Sequence, residues 1–92
     1  MTTTNHTRTQ FPLGRLLATP GVLELGIDLW PLILRHARGD WGDLVPEDRT
    51  ANDRAVRLGG RIFSAYTVLQ GRVWIITEAD RSATTVLLPE DY

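Results

Sequence analysis

The sequence predicts an α+β fold in which two or three N-terminal helices pack on a C-terminal three-stranded antiparallel β-meander. Two observations lead to this prediction. Between Thr19 and Gly60, apolar residues recur at helical spacing and are separated by prolines and glycines. From Arg61 onward the spacing changes to two, and the residues become β-branched and aromatic. The predicted organisation is a single α+β domain at residues 11–92 after a disordered polar tail at residues 1–10, which has almost no apolar surface to bury.

Capping residues predict where the helices begin and end. Thr19 caps the first helix, and Pro20 occupies its first position. Asp28 caps the second helix, which ends at Gly39. Its predicted apolar face consists of Trp30, Ile33, Leu34 and Ala37. A third helix begins at Pro46 and ends at a glycine pair, and its thin apolar face consists of Ala51, Ala55 and Leu58.

Three strands are predicted at residues 62–69, 72–78 and 83–88. Gln70 and Gly71 form the first turn, so that Leu69 pairs with Arg72. This register sorts the side chains onto two faces, and both faces are apolar. One face carries Ile62, Tyr66, Val68, Val73, Ile75, Val86 and Leu88. The opposite face carries Phe63, Ala65, Leu69, Trp74, Ile76 and Leu87.

A sheet with two apolar faces needs a cover on each side, and the helices supply only one. Two alternatives exist for the other face. One is a second copy of the chain, and the other is the segment before Thr19, which contains Phe11, Leu13, Leu16 and Leu17. A homodimer through a face containing Phe63, Trp74 and Ile76 is favoured, because these side chains would otherwise promote aggregation.

The composition argues against several classes of function. The 92 residues include no cysteine, which excludes disulfides, thiolate metal sites and cysteine nucleophiles. With 10 basic and 11 acidic residues the net charge is −1, which argues against a nucleic-acid partner. No run approaches the roughly 20 apolar residues of a membrane helix, and the start lacks an apolar signal segment. The prediction is a cytoplasmic protein with no membrane partner.

Two groups of residues resemble catalytic or metal sites. The first is a spaced run of a histidine and carboxylates, His36, Asp40, Asp43, Glu47 and Asp48. Its spacing matches no metal-binding loop, so we interpret Asp43 or a neighbour as a cap of the next helix and the first-turn acids as complements of its dipole. His36 is interpreted as a charge complement at the C-terminal end of a helix. The second is a triad assembled from Ser64 or Ser82 with His36, but no nucleophile elbow surrounds either serine. No catalytic residue, metal site or cofactor is predicted.

Five residues are predicted to contact a protein partner, namely Trp41, Asp43, Glu78, Asp80 and Arg81. They lie on predicted turns and include polar groups without an evident local role. Three of them belong to the stretch TEADRSATT, which connects the second and third strands. A hairpin tip is convex, whereas catalysis needs groups that converge in a cleft. We therefore predict recognition at this tip.

The segments RHARGDWGDLVPEDRTAND and GRIFSAYTVLQGRVWIITEADRSATTVLLPEDY resemble a family of small bacterial proteins. These proteins are carried on plasmids and integrative elements of GC-rich bacteria, and some are labelled plasmid-related or type I restriction modification subunit. The resemblance covers about Leu13 to Tyr92 and rests on GDWGDL, SAY and WIITEADRSATT. It implies a mobile-element setting, and the predicted function is a non-enzymatic accessory or modulator protein that binds another protein in counter-defence. The sequence has no Asn/Asp-Pro-Pro-aromatic motif, so the resemblance implies no DNA methyltransferase activity.

A second resemblance concerns the layout. Helices followed by a three-stranded meander are similar to RelE-type toxin RNases, which also carry a leading strand and a strongly basic surface. This chain ends in TTVLLPEDY, with acids where cations are expected. A RelE-like RNase or nucleic-acid-binding protein is the alternative function, and a small-ligand or metal-binding domain is a third class.

Overall fold

A computed structural model of the protein describes residues 9–92. Its elements in chain order are β1 (Arg15–Ala18), α1 (Pro20–Leu23), α2 (Trp30–Ala37), α3 (Pro46–Leu58), β2 (Ile62–Val68), β3 (Gly71–Thr77), β4 (Ala83–Leu87) and a final 3₁₀ turn (Pro89–Asp91). The strands form one sheet in the order β1-β4-β3-β2. β1 runs parallel to β4, and the other neighbouring strands are antiparallel.

The predicted fold class is wrong. The sheet has four strands and is mixed, whereas a three-stranded antiparallel meander was predicted. The helices lie in the middle of the chain, between β1 and β2, and not at its N-terminus. The physical reason is that β1 has only four residues and pairs Arg15 with Ala83, far away in the chain. Local periodicity carries no signal for such a distant pairing.

The first hairpin has a shifted register. Val68 pairs with Gly71, and Thr67 pairs with Arg72, so the predicted pairing of Leu69 with Arg72 is wrong by two positions. Because side chains alternate with a period of two, a shift of two leaves the residues within the strands on their predicted faces, whereas Leu69 lies in the turn and belongs to neither face. The sorting of side chains onto two faces therefore holds although the turn is misplaced.

All three helices bury side chains against one face of the sheet, which we call the inner face. One core cluster consists of Val22, Leu32, Ile33, Tyr66, Val73, Ile75 and Val86. A second cluster consists of Phe11, Trp41, Ala55 and Ile62. Phe11 thus lies on the inner side, while Leu16 and Leu17 belong to β1. Residues 9–18 therefore do not fold across the opposite face, so this part of the chain does not provide the cover that one of the two sequence-based alternatives predicts.

Helix α2 buries a different stripe from the one predicted. Ile33 and Ala37 are buried as expected, but Trp30 is 55% exposed, and Leu32 and His36 are buried in addition. The helix begins at Trp30, so this side chain lies at the exposed start of the first turn. His36 is not a charge complement at a helix end, because it is fully buried and bonded to hydroxyl groups.

The predicted disordered tail covers residues 1–10, of which residues 1–8 lie outside the described residues. The amide of Gln10 donates to the carbonyl of Ala37 over 2.8 Å. Within residues 9–92, no helix has the length and apolar character that crossing a membrane requires.

Candidate binding site on the outer face of the sheet

The sheet face opposite the helices, which we call the outer face, carries an apolar pocket. Residues of β2, β3 and β4 that alternate with the inner-face residues point to this side. The pocket has a volume of about 260 Å³ and is lined by Arg61, Phe63, Trp74, Ile76 and Tyr92. Small-molecule sites usually measure about 300–1,000 Å³. The size therefore suits one large side chain of a partner better than a cofactor.

Aromatic rings form the walls of this pocket. The rings of Phe63 and Trp74 meet edge to face, with centroids 5.0 Å apart and planes at 86°. Trp74 and Tyr92 are also in an edge arrangement, at 5.8 Å and 67°. Edge-to-face pairs of this kind contribute about 0.5–1.5 kcal/mol beyond the burial of their area. The walls are thus held in place before any partner arrives.

Arg61 holds the C-terminal wall in position. Its guanidinium donates to the hydroxyl of Tyr92 over 2.7 Å and lies 5.4 Å from the centroid of the Tyr92 ring. On its other side, Nε of Arg61 lies 3.7 Å from Oε1 of Glu78. Tyr92 remains 69% exposed, so it can contact a partner as well as Arg61.

A chain of polar side chains crosses the inner core. Nδ1 of His36 lies 2.6 Å from Oγ of Ser64, and Nε2 lies 2.8 Å from Oγ1 of Thr77. Thr77 in turn bonds to Thr84 over 2.7 Å, and Thr84 donates to the carbonyl of Leu13 over 2.7 Å. The chain joins α2 to three strands and to the segment before β1. Each buried polar side-chain atom of residues 9–92 has a partner.

The direction of the protons in this chain follows from its last member. A carbonyl only accepts, so Thr84 donates to Leu13 and must accept from Thr77. Thr77 then accepts from Nε2–H of His36, and Nδ1 accepts from Ser64. This direction requires a proton on Nε2 of His36, and the neutral ring that burial favours then leaves Nδ1 to accept from Ser64. Burial lowers the pKa of His36 from 6.5 to about 4, because the charged form loses its hydration.

This hydrogen-bond chain does not form a reactive serine site, although it brings Ser64 and His36 together. His36, Ser64 and Thr77 are each 0% exposed, so no substrate reaches the serine oxygen. The second ring nitrogen bonds to a threonine hydroxyl, where a triad needs a carboxylate. Ser64, Thr77 and Thr84 are all in phase with inner-face residues, and this period is the signal in the sequence that indicates the hydrogen-bond chain.

Two of the five predicted contact residues lie between α2 and α3. Trp41 is 3% exposed, and its indole N–H donates to Oδ1 of Asp53 over 2.9 Å. Asp43 is exposed, accepts from the hydroxyl of Thr67 over 2.7 Å, and donates its amide to the carbonyl of Ala65 over 2.7 Å. Both residues have structural roles that their positions in a turn did not reveal.

The other three lie in the turn between β3 and β4. Glu78 pairs with Arg61 at the rim of the outer-face pocket. Asp80 is exposed and accepts from the amide of Ser82 over 3.0 Å. The hydrogen bonds from Ser82 keep the pKa of Asp80 below its usual value. The structure thus places Glu78 beside the pocket and Asp80 at the exposed tip.

Arg81 ties this turn to the end of α3. Its guanidinium donates to the carbonyls of Gly60 at 2.6 Å and Ala55 at 2.8 Å, and it lies 5.7 Å from the centroid of the Phe11 ring. Both carbonyls lie at the C-terminal end of α3, where a positive charge is favourable, and the carbonyl of Ala55 also accepts from the amide of Gly59. Arg81 also has a positive φ of 63°. The guanidinium of Arg81 therefore makes hydrogen bonds within the protein.

Replacing Arg81 with methionine is expected to lower the free energy of unfolding by about 2 kcal/mol, because hydrogen bonds from a charged donor are lost. Urea denaturation measures this change. Arg72→Met is the control, because Arg72 lies exposed near the start of β3. Equal costs for the two substitutions would contradict the role of Arg81.

The spaced histidine-and-carboxylate run does not converge. His36 is fully buried, and Asp40 forms a bidentate interaction with Arg35, whose Nε lies 2.7 Å from Oδ2. This interaction keeps the pKa of Asp40 below its usual value. Among residues 9–92, no three histidine, aspartate or glutamate side chains are grouped closely enough to hold a metal ion.

Compared with known proteins, the chain matches no family model, no curated protein and no solved structure.

Proposed function

We propose that this protein is a non-enzymatic, cytoplasmic accessory or modulator protein that acts by binding another protein through the pocket on its outer face. The observation that carries the proposal is the pocket itself, with three aromatic walls on a sheet face that the helices leave free. Aromatic residues and arginine are enriched where proteins bind one another tightly. The mobile-element setting and the role in counter-defence rest on the resemblance of GDWGDL, SAY and WIITEADRSATT.

The shape of the face supports insertion of a single partner side chain. Ile76 and Leu87 are each only 5% exposed, because neighbouring side chains already cover most of the sheet. The surface that remains accessible is centred on Phe63, Trp74 and Tyr92. The homodimer through Phe63, Trp74 and Ile76 stays a prediction, and a second copy is one of the occupants that the experiment distinguishes.

Affinity capture with three forms of the protein tests the proposal. Wild type is compared with Tyr92→Ala, which removes an exposed wall of the pocket, and with Leu69→Ala, which trims a side chain that is 98% exposed at a hairpin tip. The expected result is a bacterial protein that wild type and Leu69→Ala retain equally and Tyr92→Ala retains at least about tenfold less, since interface hot spots cost 2 kcal/mol or more. Equal retention by all three forms would exclude the pocket.

A RelE-like RNase is the second candidate function. The observation that favours it is β1, because a leading strand is part of that layout. The net charge of −1 weighs against it, since RNA binding depends on neutralising phosphates. RNA that migrates more slowly with this protein at low salt, and loses the shift as salt is added, would support the RNase class. The absence of any shift at low salt would remove it.

A further inference from the structure

The two edges of the sheet differ in how their backbone groups are hydrogen-bonded. At the β2 edge, Asn52 bonds to both the amide and the carbonyl of Phe63, at 3.1 and 2.6 Å. Next to it, Ala65 donates to Trp41 and accepts from Asp43, at 3.2 and 2.7 Å. The outward backbone groups of Phe63 and Ala65 are therefore occupied. Proteins commonly cover or distort an edge in this way, because a bare edge pairs with other strands.

The β1 edge is open in residues 9–92. The amide of Arg15 donates to the carbonyl of Ser82, just before β4, over 3.1 Å. The amide of Thr19 donates to the carbonyl of Val86 in β4 over 3.0 Å. Residues of a parallel strand alternate in the direction of their backbone groups, so those of Leu16 and Ala18 point away from β4. Their side of β1 is the end of the sheet. Leu16 and Leu17 are also 42% and 41% exposed, which leaves apolar surface beside the free backbone.

We propose that β1 pairs antiparallel with β1 of a second copy, about a two-fold axis at Leu17, so that the two sheets become continuous. In this register, Leu16 of each copy pairs with Ala18 of the other copy through backbone hydrogen bonds in both directions. All the backbone N–H and C=O groups of β1 that point away from β4 are then bonded. The register centred on Leu16 would place Gly14 opposite Ala18. Gly14 has a φ of 65°, outside the extended region that strand pairing needs.

Charge complementarity supports a second copy as the occupant. The register places Arg15 opposite Thr19 of the second copy, and both residues point to the outer face. The hydroxyl of Thr19 donates to Oδ2 of Asp91 over 2.6 Å, so a carboxylate lies beside it. Each Arg15 therefore meets an acid of the opposite chain, and the two-fold axis repeats the pair. This edge is separate from the outer-face pocket, so the dimer and the proposed function can fail independently.

Light scattering on the purified protein tests the dimer. Wild type is expected to show the mass of two chains, and Leu17→Lys and Leu17→Glu each the mass of one, with affinity weakened by about tenfold or more, because two like charges would face each other across the axis. Mixing the two variants should restore the two-chain mass, because lysine then faces glutamate. Leu69→Lys, the same change at the exposed hairpin tip, should remain dimeric.

A second variant guards against loss of folding. Leu16→Pro removes an amide hydrogen that points away from β4, so it should produce a single-chain species with an unchanged circular-dichroism spectrum. A single-chain mass for the wild type overturns the proposal. So does a dimer that persists in both Leu17→Lys and Leu16→Pro, or a mixture of the lysine and glutamate variants that does not associate.

Discussion

The free energy of unfolding is expected to fall by about 3 kcal/mol between pH 6.5 and pH 4 because of His36 alone. Burial lowers the pKa of His36, so in this window the unfolded chain binds a proton there and the folded chain does not. The stability that the neutral imidazole contributes is complete above pH 6.5 and is lost as the pH falls toward 4. Urea denaturation at a series of pH values measures the slope.

Two substitutions test whether His36 causes this pH dependence of the free energy of unfolding. His36→Gln should flatten it, since glutamine does not titrate, and should also lower stability at neutral pH, because the edge contacts of the imidazole ring with Phe11 and Trp41 are lost. The same substitution at His6, the only other histidine, should leave the slope in place. The acids with lowered pKa, Asp40, Asp80 and Asp91, begin to contribute only at the lower end of the window, as the pH approaches their usual 3.8. A slope that survives in His36→Gln would contradict the assignment.

Replacing Gly42 with alanine is expected to cost about 3 kcal/mol or more, from a strained backbone and a steric overlap together. Gly42 has a φ of 76° and forms a bridge with Ala65 of β2. A methyl group at this position would overlap the carbonyl oxygen of Ala65 and lie 2.7 Å from Cδ1 of Tyr66. The overlap would push the loop away from the β2 edge. Denaturation in urea, with the m-value checked, measures the cost.

Gly26 offers a matched control. Its φ is 68°, close to that of Gly42, but nothing lies within 4 Å of a methyl group added there. Gly26→Ala should therefore cost only the conformational part, about 1–2 kcal/mol. The difference between the two alanine variants isolates the steric contact with β2. Equal costs would mean that the loop moves away without penalty.

The strand faces were predictable because they depend on a period of two, which survives an error in the turn. Phe63, Trp74 and Ile76 were placed on one face before the structure, and they line the pocket there. β1 could not be predicted in this way. Its four residues have no distinctive period, and their partner lies at the other end of the chain. Thr19 and Pro20 did mark the start of α1, where the Thr19 hydroxyl accepts from the amide of Val22.

The candidate site was harder to predict than the faces, because a turn residue in a sequence gives no sign of its tertiary contacts. The predicted turns make Trp41 and Arg81 candidate contact residues, yet both contact the ring of Phe11. Tyr92 was not selected, since its role depends on Arg61 and Trp74 meeting it in space. The alternation of side chains along the strands predicts which serines and threonines are buried. A buried hydroxyl group needs a hydrogen-bond partner, so this pattern indicates the polar chain in the core.

The parallel pairing of β1 with β4 has a consequence for how the chain folds. Arg15 leaves the ribosome well before its partner Ala83 is made, because the two residues are far apart along the chain. Closing such a long loop is entropically costly and slow, so local elements form first. We expect the helices and the β2–β3 hairpin to form first. β1 should be the last of the four strands to join the sheet.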